Sequence, residues 1–243
     1  MPPDLFAGVP RASTPLHEQA VPAIARAGNR RRRLAAILIV ALAWTAAAVP
    51  AAAAPPRAAT LSAADRADVG RIEAYLNSIR TLKARFLQVS STGDLSEGTL
   101  FISRPGKLRI EYDPPVPILI VAARGVLTYF DKELEQVSEI DLESTPAGIL
   151  VQETVSFFSG DFTLTRFKRQ ADAARVTLVR TEDPREGSLT LIFSDRPLAL
   201  RKWIVTDAQG VKTTVSLLNT RFGLPLNPEL FTFEAPDLSE GGN

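Results

Sequence analysis

The 243-residue chain contains no cysteine, one histidine and one methionine. Without cysteine it has no disulfide, no thiolate nucleophile and no thiolate metal ligand. The lone histidine, His17, lies ahead of a basic and apolar leader, so the rest of the chain lacks imidazole altogether. That removes histidine triads and histidine metal sites from the larger part of the protein. No glycine-rich phosphate loop occurs, nor the clustered basic surplus of a nucleic-acid surface. The expectation is a protein that is not an enzyme, uses no cofactor or metal, and binds no nucleic acid.

Long apolar runs are missing too. The run from Leu34 to Val49 follows the basic cluster Arg30–Arg33 and dissolves into small residues through Ala54. It falls short of the roughly 20 residues of a spanning helix. Basic cluster, apolar stretch and small-residue zone in that order are the parts of a cleaved secretory signal; an uncleaved anchor is the alternative. Cleavage is expected after Ala53. Three regions follow: an extension or early start over residues 1–29, a signal peptide over 30–53, and a single domain over 54–243. Losing residues 1–53 turns the net charge from +1 to about −3. Export to an oxidising compartment without cysteine implies a core that needs no disulfide, and leaves no cysteine for a lipid anchor. A soluble periplasmic monomer is expected.

What is present is alternation. Residues Gly98–Asp113 read as two half-buried strands with Leu100 and Ile102 on one face of the first, and Leu108, Ile110 and Tyr112 on one face of the second. Pro105-Gly106 suits a type II turn between them. Arg104 continues the parity of the apolar face, a costly place for a permanent cation unless acceptors meet it. Ahead of this hairpin, Ser62 with Asp65 three residues on opens a helix whose stripe runs through Val69, Ile72, Leu76 and Ile79.

The remainder is strand after strand. Candidates are 83–90, 118–122, 126–130 and 134–140, then 162–167, 176–181, 189–194, 200–206 and 211–218, with a last pairing at 231–235. A helical segment over 147–158 interrupts them, with Thr145-Pro146 as cap and first turn and Gly148 as a weak point. Such even spacing favours a mostly β fold with a few helices: an open, incomplete antiparallel β-barrel of about 11 strands covered by a helical lid. The acidic series Asp131, Glu133, Glu135, Glu139, Asp141 and Glu143 is read as a solvated strand face, with a docking surface or calcium site as alternatives. Glu111 and Asp113 are read as solvated in the same way.

An incomplete barrel need not fill its interior. Candidate inward residues are Leu100, Ile102, Leu108, Ile110, Leu127 and Tyr129 from the first half, and Leu178, Leu191 and Phe193 from the second. Ile149, Leu150 and Phe157 join them from the lid. Plain core packing and a ligand cavity are both open to each residue.

Several spaced features together resemble the periplasmic outer-membrane lipoprotein carrier family (LolA-type) over about Arg71–Pro236. They are Phe86-x-Gln88, Arg104-Pro105, Asp113-Pro114, Tyr129-Phe130-Asp131, Thr145-Pro146 and the closing Phe231-x-Phe233-x-Ala-Pro236. The resemblance implies an open antiparallel barrel with a helical lid. It implies acylated lipoproteins as cargo, received from an inner-membrane ABC-type lipoprotein release complex and passed to an outer-membrane lipoprotein receptor. It also gives Arg104 the role of a latch that bonds lid backbone while the cavity is empty. A lipid or lipoprotein sensor on the same fold is the alternative. Leu108 stands where some members carry an aromatic, Ala123-Arg124-Gly125 replaces an Asp-Gly turn, and a tryptophan common near Thr128 is absent.

Overall fold

The structure is a computed structural model that describes residues 56–145, 148–158 and 160–234. The expected extension and signal peptide, Pro146, and the final Ala235-Pro236 lie outside the described residues. Helix α1, Ala63–Ser78, begins as expected: the Ser62 hydroxyl accepts from the Asp65 amide at 3.1 Å. It buries Val69, Ile72 and Leu76.

Eleven strands follow. The first six are β1 (Thr81–Val89), β2 (Leu95–Ser103), β3 (Lys107–Tyr112), β4 (Ile118–Ala123), β5 (Val126–Asp131) and β6 (Gln136–Asp141). The other five are β7 (Phe162–Gln170), β8 (Ala173–Arg180), β9 (Gly187–Asp195), β10 (Leu198–Asp207) and β11 (Lys212–Phe222). They form one antiparallel sheet in the order β6-β5-β4-β3-β2-β1-β11-β10-β9-β8-β7. The two edge strands, β6 and β7, are consecutive in the chain yet unpaired, so the sheet is open. Inward residues of both halves nevertheless belong to one apolar cluster with α1, from Leu108 and Leu127 to Leu178 and Leu191. Only a curled sheet brings them together.

In the β2–β3 hairpin, Gly106 takes the positive φ (+72°) that its turn demands, while the Arg104–Pro105 bond is cis. Strand β4 is buried on both faces. Ile118, Ile120 and Ala122 point inward, whereas Leu119 and Val121 pack outside with Phe130 under Phe233.

Three sequence expectations change. The helix over 147–158 shrinks to α2, Gly148–Val151, preceded by a 3-10 turn at Leu142–Ser144. Thr145 is not its cap: its hydroxyl donates back to the Leu142 carbonyl at 2.8 Å. Beyond Gln152, α1 side chains hold the Val155 amide and carbonyl and the Phe157 amide (described below) in place of helical hydrogen bonds. The strand at 134–140 starts only at Gln136. Asp131 accepts from the amides of Glu133 and Leu134, and Glu135 has φ +53°, so those residues make the turn. The pairing at 231–235 is absent over its described residues, 231–234. Pro228–Phe231 forms a 3-10 turn capped by Asn227, and the Leu230 carbonyl accepts from Arg109 Nη1 at 3.0 Å instead of from a strand.

Candidate functional site

The short α2 and the segment after it cross the concave face of the sheet on their way from β6 to β7. Arg104, at the end of β2, meets them from below. Its side chain is only 9% exposed. Nε donates to the Gln152 carbonyl at 2.6 Å; Nη1 donates to the carbonyls of Leu76 and, at 3.4 Å, Ile79. One acceptor thus belongs to the segment after α2, and two belong to the end of α1, where the last carbonyls of a helix lack an amide four residues on and the Leu76 carbonyl also accepts from the Ile79 amide at 3.2 Å. The neighbouring backbone adds a bond from the Gly106 amide to the Val151 carbonyl at 2.8 Å. Burial, and then the nearby Arg80, hold the guanidinium's pKa below the ordinary arginine value, yet arginine keeps its proton across the physiological range. Nη2 is buried without a partner.

The same segment is held from α1. Asn77 Nδ2 donates to the Val155 carbonyl at 2.9 Å, and its Oδ1 accepts from the Val155 amide at 2.8 Å. Glu73 accepts from the Phe157 amide. Helix α1 is fixed to the sheet by a cluster of charges: Arg71 bonds Asp195 at 2.6 Å and Asp68 at 3.3 Å, and Arg169 pairs with the same two carboxylates. The Arg71 bond and charge, with Arg169 and Arg196 beside it, keep the Asp195 carboxyl below the usual carboxylate range.

Between Arg104 and this cover the structure leaves a void of about 20 Å³, room for about one water molecule. Its wall contains Ile102, Arg104, Ile149, Leu150 and Leu191 from the sequence-derived set. Leu100, Leu108, Ile110, Leu127, Phe157, Leu178 and Phe193 are buried in the surrounding core, with Tyr129 half-buried against it. Five wall residues were not foreseen: Leu76, Ile79, Leu82, Val155 and Leu200. The α1 stripe already pointed to Leu76 and Ile79, and the strand parity to Leu82 and Leu200. Val155 had no signal, because the segment carrying it was expected to be helical. Glu111 and Asp113 are ion-paired, with Arg109 at 2.6 Å and with Arg85 respectively. Strand β6 exposes five of its six residues, Ile140 alone being half-buried.

Fold and site define a class: an open half-barrel whose apolar interior is closed by a short cover, the cover being pinned to a buried arginine and to one helix. Comparison with known proteins makes the assignment narrower. The family model for the outer membrane lipoprotein carrier protein LolA matches residues 77–234, and the chain belongs to that family. The outer-membrane lipoprotein carrier protein of Methylococcus capsulatus is 30% identical over 188 residues, covering 72% of this chain and 87% of the relative. That of Pseudomonas aeruginosa is 30% identical over 189 residues, covering 74% and 89%. Among solved structures, a LolA superfamily protein from Nitrosomonas europaea is 13% identical, with a TM-score of 0.39 over 68% of this chain and 97% of that one.

Proposed function

We propose that this protein is a periplasmic chaperone that carries acylated lipoproteins from an inner-membrane ABC-type release complex to an outer-membrane receptor, with the acyl chains in the half-barrel. The observation that carries the reading is Arg104, a buried cation whose hydrogen bonds join the cover to α1 above an apolar interior. A void that holds one water cannot hold an acyl chain, so the cover must lift for cargo to enter. Each bond from the guanidinium to a carbonyl contributes about 1.5–3 kcal/mol. Arg104 is therefore the latch, and cargo breaks its bonds.

Magnitudes favour a carrier that is loaded by another machine. One acyl chain of about 16 carbons is worth on the order of 12 kcal/mol at about 0.8 per methylene fully removed from water. Three such chains would exceed the practical ceiling near 20 kcal/mol for non-covalent affinity. The cost of opening the cover offsets part of this gain and keeps cargo releasable. Because cargo starts in a membrane, the energy for loading comes from the donor.

The test is extraction of a radiolabelled triacylated lipoprotein from vesicles bearing the release complex. ATP-dependent appearance of a soluble one-to-one complex, altered in Arg104→Leu, is the expected result. No transfer, with free fatty acid or phospholipid bound instead, would replace the carrier role with lipid sensing on the same fold.

A further inference from the structure

The interior has a polar end. Gln88, near the end of β1, is the one polar side chain among the described residues with no exposure at all. It shares the inward face with Leu82, Ala84 and Phe86. In register beside it are Ser96 on β2 and Val215 on β11, and Ser96 is buried too. Tyr112 on β3 donates its hydroxyl to Gln88 Oε1 at 2.9 Å, while Gln88 Nε2 has no hydrogen-bond partner.

A buried amide with both donor hydrogens unused lowers stability relative to a methionine or leucine of similar shape. The geometry places the carbonyl end of the amide against the Tyr112 hydroxyl and leaves the nitrogen end free. Burial drives the Tyr112 phenol pKa upward, so the hydroxyl keeps its proton and remains a donor. Its hydrogen occupies the carbonyl end of Gln88 and leaves the NH₂ presented to the interior. From Leu82, on the wall of the void beneath the cover, to Gln88 is six residues, about 20 Å along the strand.

We propose that Gln88, oriented by Tyr112, is a binding site for a hydrogen-bond-accepting carbonyl oxygen of a lipid, namely the ester of an acylated glycerol. The hydrocarbon then runs along the apolar face toward Arg104, and the head group leaves by the Gln88 end of the barrel. This inference rests on the reading of the interior as the acyl-chain site. It adds to that reading a polarity of binding and a preference for ester over ether linkage.

The experiment measures binding of two matched lipids to the purified protein from detergent micelles: dipalmitoylglycerol and its di-O-hexadecyl ether analogue. The expected result is about threefold to tenfold tighter binding of the ester, the effect of one neutral hydrogen bond. Gln88→Met should bring the ratio to one while ether binding persists. Because that change leaves the Tyr112 hydroxyl alone, the paired variant Gln88→Met with Tyr112→Phe removes both polar groups and should show the same ratio in a stably folded protein. Equal binding of ester and ether by the unaltered protein, or a preference that survives in both variants, would overturn the assignment while lipid carriage stands. Binding of neither lipid would overturn the lipid-carrying interior and this site with it.

Discussion

Asn77 pairs with the backbone of Val155 as a neighbouring strand would, giving one hydrogen bond and taking one. A single side chain on α1 thus satisfies both main-chain groups of a residue in a segment with no secondary structure of its own. The segment is therefore held at Gln152 by Arg104 and at Val155 by Asn77, from two different elements.

Asn77→Ala should loosen that segment locally. Two bonds at about 1 kcal/mol each are lost. The Val155 amide should exchange with deuterium faster by about tenfold or more, whereas amides of β1 and β2 stay protected. Uniform acceleration throughout the sheet would mean that Asn77 supports the whole fold and not the cover.

Arg104→Lys should behave more like Arg104→Leu than like the native protein. The guanidinium reaches the Gln152, Leu76 and Ile79 carbonyls at once through a planar fork, and an ammonium is a point charge without that geometry. Both variants should expose residues 148–158 to limited proteolysis. Protection in the lysine variant equal to the native protein would show that charge alone suffices.

Gly98→Ala should destabilise the protein by about 1–3 kcal/mol in denaturant unfolding, as overpacking does. A Cβ there would lie 2.1 Å from the Glu111 carbonyl oxygen and 2.6 Å from the Phe86 ring, which itself meets Tyr112 edge-on at 5.1 Å. Both the β3 backbone at Glu111 and the aromatic pair must move for any side chain to fit. A variant as stable as the parent would contradict this packing.

Stability should fall on acidification. Asp195 beside Arg71, and Asp113 beside Arg85, have carboxyl pKa values lowered in the folded state. A lowered folded pKa contributes stability above the unfolded value, near 3.9, and that contribution is lost as pH falls through the folded value. Asp195→Asn should therefore flatten the acid side of a melting-temperature profile below about pH 4. An unchanged slope would remove the α1 charge cluster from the account.

Much of this was visible from residue order. Apolar patterning located all eleven strands from β1 to β11 to within a few residues; most alternate because one face lies in the core and one in solvent, whereas β4 is buried on both faces and β6 is exposed on nearly all of its residues. The parity of Arg104 marked it as a buried cation. Missed elements share a cause: they depend on partners distant in sequence. Residues 152–158 carry apolar residues at helical spacing, but Arg104 takes the Gln152 carbonyl, and α1 side chains take the Val155 amide and carbonyl and the Phe157 amide. Phe231 and Phe233 look like a strand, yet the 3-10 turn and the outer face of β4 use them instead.

By itself the sequence determined the chemistry: without cysteine, and with its lone histidine at position 17, residues 56–234 have apolar strands and one arginine on the wrong face. Tertiary structure decided which acceptors that arginine finds and that the void between it and the cover is the size of one water. It also decided that Gln88 keeps an unused donor at the opposite end. Side-chain period is a local property of the backbone, whereas hydrogen-bond pairing across 48 residues, as from Arg104 to Gln152, depends on how the sheet curls.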